Sequence, residues 1–153
     1  MEKVFYDLTN PQKSIYLTEQ YYSNTSINNI LGTAVNSEKI DFSKLEQAIN
    51  LVVQKNDNLR IKLIKQNDNL KQYIEDFKFI QIEIKNLKDE AELKEYETSI
   101  VQTPINFEEK TYDFKIFRFP DDTGGFFLNI HHIVADSWTM GLTCIKIIKE
   151  YYN

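Results

Sequence analysis

The chain has 153 residues, enough to bury the core of one ordinary domain, and its 42% hydrophobic and 27% charged residues exclude a disordered chain. Its 18 basic and 23 acidic side chains leave a formal charge of -5, with no positive stripe to track a nucleic-acid backbone, so no nucleic-acid partner is expected. No apolar run approaches the roughly 20 residues of a membrane-spanning helix, so no membrane partner is expected either. Met1 leads straight into charged Glu2 and Lys3, against a signal peptide. The single cysteine, Cys144, has no intrachain partner for a disulfide. These features together lead us to expect a reduced, cytoplasmic protein.

In chain order, Thr9 is the first predicted N-cap, with Asn10 as the alternative. Pro11 stands near the first helical positions, where its missing N–H is harmless. A helix from Pro11 to Tyr22 follows, with Ile15, Tyr16 and then Glu19 or Gln20 at helical spacing. Residues 23–26 read as a loop. Ile30 to Val35 is a short strand interrupted by Gly32. Asp41 caps a second helix, whose Phe42, Leu45, Ile49, Val52 and Val53 share one face. Leu59, Ile61 and Leu63 alternate with Arg60 and Lys62, giving a half-buried strand. Asn67-Asp68-Asn69 is a turn, and Leu70 to Ile74 returns. Phe79 to Ile84 reads as a further alternating strand. Lys88 or Asp89 starts a helix carrying Leu93, Tyr96 and Ile100, with Pro104 beyond its end. Tyr112 to Phe119 and Gly124 to Ile130 form a hairpin, with Gly124 and Gly125 supplying positive φ. After a loop from His131 to Asp136, a last helix runs from Ser137 to Tyr151. Its Leu142, Ile145, Ile148 and Tyr152 are the expected core contacts. The fold class is α/β (α+β): a two-layer sandwich with helices on one side of a mixed, mainly antiparallel sheet. No internal repeat or domain boundary is visible.

The chain has two histidines, and they are adjacent: His131 and His132. Asp136 follows four residues after the second, then Ser137, Trp138 and Thr139. A neutral imidazole accepts and returns a proton near pH 7, and a loop at a strand end exposes it to substrate. The bland alternative is a pair of ordinary surface or turn histidines. Asp136 either orients the imidazole or pairs with a cation, of which Arg60 is preferred; spacing does not decide. Trp138 and Ile133 are expected as core anchors. His131, His132 and Asp136 offer three metal ligands, but adjacent imidazoles rarely converge on one ion, so no metal is expected. There is no phosphate loop and no serine nucleophile elbow. Cys144 lies in an apolar helical stretch that raises a thiol pKa, which argues against a nucleophile.

The segment His131-His132-Ile133-Val134-Ala135-Asp136-Ser137-Trp138-Thr139 resembles the signature of condensation domains from nonribosomal peptide synthetases. That pattern is two histidines, three variable residues, aspartate and usually glycine, often followed by Trp-Ser. Ser137 stands for the glycine and Thr139 for the serine. Leu8 to Tyr16, with Gln12, is similar to the family's opening segment. Lys55-Asn56-Asp57-Asn58-Leu59-Arg60 is similar to its second motif, commonly Arg-His-Glu-x-Leu-Arg, of which Leu59 and Arg60 match.

The resemblance implies a fold like chloramphenicol acetyltransferase, with two α/β lobes flanking a tunnel. Residues 1–153 would be the N-terminal lobe, with the C-terminal lobe absent. It implies amide formation between donor and acceptor thioesters, each brought on phosphopantetheine by a peptidyl carrier protein. An adenylation domain would lie in the same assembly line, and no cofactor would be bound directly. His132 would be catalytic, as base or as the group positioning the amine. His131 and Asp136 would be structural, Asp136 in an ion pair with Arg60 or with the position of Lys55. Ser137 would alter backbone freedom at the helix junction. The isolated lobe would be inactive, and its lobe-facing surface a site of self-association. Two other readings stand beside this one: a coenzyme A-dependent acyltransferase of the same superfamily, and a non-catalytic docking or scaffold lobe.

Overall fold

A computed structural model describes residues 3–67 and 69–153; Met1, Glu2 and Asp68, the last in the expected turn, lie outside the described residues. In chain order the elements are β1 (Tyr6–Asp7), α1 (Asn10–Tyr21), β2 (Asn29–Asn36), α2 (Phe42–Lys55), a 3-10 turn (Asp57–Arg60), β3 (Ile61–Gln66), β4 (Asn69–Ile74), β5 (Ile84–Asn86), α3 (Glu90–Gln102), β6 (Tyr112–Arg118), β7 (Gly124–His131) and α4 (Ser137–Tyr152). The strands form two sheets, ordered β1-β4-β3 and β2-β7-β6-β5. Every pairing is antiparallel except β5 with β6.

Capping residues start the helices where the sequence places them. Thr9 and Gln12 form a reciprocal capping box at α1. Asp41 and Asp89 accept backbone N–H groups at α2 and α3.

The hairpin β6–β7 is the centre of the larger sheet. Alternation puts Phe114, Ile116, Phe126, Leu128 and Ile130 on one face, against Leu45, Ile49, Val52 and Val53 of α2 and Ile147 of α4. Phe117 and Phe127 point the other way and meet Ile100, Leu93 and Tyr96 of α3. Burying one such side chain contributes about 1.5–3 kcal/mol. The expected helix layer on one side is therefore α2 with α4, while α3 crosses the opposite face.

A second, smaller core lies beneath the three-stranded sheet. Leu8, Leu63, Leu70, Phe107 and Ile133 form it, with Ile15 and Tyr16 of α1 packed against them.

Three expectations need correction. Of the predicted strand Phe79–Ile84, only Ile84 is in a strand; β5 runs on to Asn86, and the segment before it is held by α2 instead. There the Asn50 side chain bonds both the N–H and the C=O of Ile80, and Glu46 accepts the Ile82 N–H. Helix α4 buries the other side of its surface: Leu142, Ile145, Ile148 and Tyr152 are exposed, while Thr143 and Ile147 are buried. Gly32 is the physical reason, because its missing Cβ leaves room for Met140 and Cys144 to lie on β2. Gly125 has no positive φ; that conformation falls to Asp122 and Gly124. Gly125 instead permits close strand approach, since a Cβ there would strike the Ala34 carbonyl.

Among the described residues, no helix is long and apolar enough to cross a membrane.

The two glycines predict different costs. Gly125→Ala meets immovable backbone of the paired strand and should lower the melting temperature strongly. Gly32→Ala meets the flexible end of Met140 and should lower it much less. Thermal denaturation of the two variants checks the order, and equal losses would refute it.

Candidate active site

Strand β7 delivers His131 at its last position, and every residue of the strand is buried. The His131 backbone N–H donates to the Thr111 carbonyl at 2.8 Å, and the next N–H, of His132, donates to the Asn28 carbonyl at 2.8 Å. The Val134 N–H closes a turn onto the His131 carbonyl at 3.1 Å. The backbone around the histidine pair is thus bonded on both sides.

The two rings have opposite fates. His131 is 1% exposed. Its Nδ1 accepts the Ile133 N–H at 3.1 Å, so the proton sits on Nε2, which points at Glu19 Oε2 3.3 Å away. Burial holds the His131 pKa below its ordinary 6.5, with Glu19 opposing that effect. The ring is therefore neutral at pH 7. Phe107 tilts against it with centroids 5.2 Å apart. His132, by contrast, is exposed.

The loop after the pair is anchored at alternate residues. Ile133 is buried in the small core and Ala135 in the large one. The Ile133 carbonyl accepts from Gln12 Nε2 at 3.1 Å, and the Gln12 side chain also exchanges hydrogen bonds with Gln72 on β4. Gln12 thereby ties α1, the small sheet and the histidine loop together.

Asp136 caps α4. Its Oδ1 accepts the Thr139 N–H at 2.7 Å. The hydrogen bonds from the Thr139 side chain and backbone hold its carboxyl below the ordinary 3.8, with His132 the smallest contributor.

The expected Arg60–Asp136 ion pair is not formed. Arg60 Nη2 pairs with Asp57, and Nη1 donates to the Glu75 carbonyl at 2.9 Å. Lys55 pairs with Glu150 at 2.5 Å. Each charge is engaged elsewhere: Arg60 at the entrance to β3, where its buried Nε has no hydrogen-bond partner, and Asp136 by the helix it starts.

Trp138, expected in the core, is 76% exposed on the first turn of α4. Ile133 and Ala135 already fill the space beneath the loop, and the buried face of α4 begins only at Met140. Ser137 is exposed and is not among the positive-φ residues, so this position makes no demand for glycine. Among the described residues, no group of three His, Cys, Asp or Glu side chains is arranged to hold a metal ion. Burial pushes the Cys144 thiol up to about 11.

Sequence reasoning missed Glu19 and Asn28 as neighbours of His131, although Asn28 Nδ2 donates to Glu19 Oε2 at 2.6 Å. A signal was present. Gln12 and Glu19 lie seven residues apart on the α1 face that carries Ile15 and Tyr16, and polar groups on a core-facing stripe need buried partners.

Two outcomes follow from this geometry. Asp136→Asn keeps a capping oxygen and should keep the melting temperature, whereas Asp136→Ala should lower it by roughly 2–4 °C, as the loss of one cap does in a domain of this size. Removing Arg60 as well should add its own loss independently; strong coupling in that double-mutant cycle would restore the ion pair. With a thiol near 11, only about one thiolate in a thousand is present at pH 8. Iodoacetamide should therefore modify Cys144 at least tenfold more slowly in folded than in urea-unfolded protein.

A sequence model of the family described as "Condensation domain" matches residues 2–153. Surfactin synthase subunit 1 of Bacillus subtilis (strain 168) is 30% identical over 159 residues, which cover 99% of this chain and 4% of that protein. The starter condensation domain of the rhizomide synthetase RzmA superimposes with a TM-score of 0.88 at 22% identity, over 97% of this chain and 37% of that one. The condensation domain of the monacolin K polyketide synthase MokA gives a TM-score of 0.86 at 18% identity, over 100% of this chain and 36% of that one. The chain thus spans little more than a third of the solved domains it matches, and with residues 2–153 matched it belongs to the condensation-domain family, its two-layer architecture being that of the family's N-terminal lobe.

Proposed function

We propose that residues 1–153 act as the N-terminal lobe of a larger condensation domain, with His132 at the reacting end of the acceptor amine. The observation that carries this reading is the division of labour between the histidines. His131 is buried and held by its own loop and Glu19, while His132 is exposed on backbone bonded to Asn28, just before β2. A rigid backbone presenting one accessible imidazole is what proton transfer or amine positioning requires.

In this reading the acceptor amine nitrogen attacks the donor thioester carbonyl carbon. His132 accepts the amine proton, or holds the amine by a hydrogen bond as it attacks. The carbon–sulfur bond then breaks, and the thiolate leaves and takes up a proton. The products are an amide and a free thiol. The donor and acceptor are thioesters on the phosphopantetheine arms of carrier proteins, charged by an adenylation domain. The rhizomide starter domain is described in complex with C8-CoA and with Leu-SNAC, which favours an acyl donor and an aminoacyl acceptor here. A second lobe completes the tunnel. The exposed Leu142, Ile145 and Ile148 on α4 support a further layer of protein there.

In the complete protein containing this chain, His132→Ala should reduce amide formation between carrier-bound substrates by about 10²–10⁴-fold, followed by mass spectrometry of the product. Wild-type rates in that variant would refute the catalytic reading. If free acyl coenzyme A serves as donor as well as the carrier-bound thioester does, the coenzyme A-dependent alternative replaces it. Residues 1–153 alone should form no amide, because half of the positioning surface is missing.

A further inference from the structure

We infer that Glu19 is a positioning residue for His132, acting through His131 and Asn28. This rests on the role of His132 proposed above and assigns the residue that aims it.

Glu19 lies near the C-terminal end of α1, far from the histidines in sequence, with its side chain only 13% exposed. A carboxylate removed from water normally needs a cation or several hydrogen-bond donors. Among the described residues, no Lys or Arg forms an ion pair with it; its ionic contact is with His131. Its partners are two neutral donors meeting on one oxygen. Asn28 Nδ2 donates to Oε2 at 2.6 Å, and His131 Nε2 lies 3.3 Å from the same atom.

The two residues that carry those donors also hold, through other atoms, the backbone at His132 and just after it. The His131 ring accepts the Ile133 N–H at 3.1 Å, on the C-terminal side. The Asn28 carbonyl accepts the His132 N–H itself at 2.8 Å. One carboxylate oxygen therefore ties the residue just before β2 to the end of β7 at the position where the exposed His132 follows. An apolar residue would fill this place on α1 without the desolvation cost of a carboxylate. What the carboxylate adds is a fixed ring orientation at His131 and a fixed side chain at Asn28. Glu19 does not touch the reacting atoms, so its effect passes through the direction in which His132 points.

The test uses the complete protein with carrier-bound substrates. Glu19→Ala should lower kcat by about 10–100-fold, the loss typical of small misplacements and of removed supporting partners, with KM changed less than about twofold. Glu19→Gln keeps an oxygen able to accept both hydrogen bonds and should return kcat to within about threefold of wild type. In a His132→Ala background, Glu19→Ala should lower the residual rate no further. Unchanged kcat in Glu19→Ala, no recovery in Glu19→Gln, or an equal loss in the His132→Ala background would each overturn the inference. Thermal denaturation accompanies each variant. If Glu19→Ala does not fold, Glu19→Asp decides: its shortened carboxylate should lower kcat with KM retained, and wild-type kcat there also overturns the inference. Failure of the two readings is distinguishable. A fully active His132→Ala removes the proposed function, whereas an inactive His132→Ala with wild-type kcat in the Glu19 variants removes only the role of Glu19.

Discussion

Burial of β7 on both faces is the constraint on which the rest of this structure depends. Phe126, Leu128 and Ile130 face α2 and α4, and Phe127 faces α3. With β2 on one edge and β6 on the other, its backbone groups are paired along the strand. A strand so enclosed cannot slip in register without moving its whole apolar set to the wrong face. Its last residue is therefore delivered to a fixed place. That residue is His131, a polar ring carried inside by the strand that ends with it.

A buried imidazole has two nitrogens to satisfy, and leaving either unpaired would be expensive. The chain answers with one local partner and one distant one. Ile133 N–H comes from two residues ahead; Glu19 comes from α1. The local bond bends the loop back over the ring, and the distant bond draws α1 to the end of β7. His132 is what remains outside this closed arrangement. Its accessibility follows from the satisfaction of its neighbour.

The loop also spans the two cores, with Ile133 in the smaller and Ala135 in the larger. That explains why a glutamine near the N-terminus matters to a histidine loop more than a hundred residues later. Gln12 bonds the Ile133 carbonyl from a helix that packs on the small sheet. Asp136 then ends the loop by starting α4, a local task that its Oδ1 performs. Arg60 closes a different junction, at the entrance to β3. Two charged residues expected to meet serve as separate local fastenings.

Local chemistry was legible in the sequence. Thr9, Asp41 and Asp89 are N-caps because a short oxygen-bearing side chain reaches backbone N–H groups two or three residues on, whatever surrounds it. The α2 stripe and the β6–β7 hairpin were readable because their apolar period matches their geometry. The adjacent histidines and the residues after them were visible as a motif. What only the tertiary structure decided were choices among equally apolar or equally charged options. Helix α4 is apolar on more than one side, so its spacing alone cannot say that Met140 and Cys144 face inward while Leu142 and Ile145 face out; the gap left by Gly32 does. The segment Phe79–Ile84 alternates like a strand, yet Asn50 and Glu46 take backbone groups that a neighbouring strand would have used. Glu19 and His131 are 112 residues apart. Sequence alone determined the parts whose partners lie within a few residues, whereas burial, register and helix facing depend on which distant atoms occupy the same space.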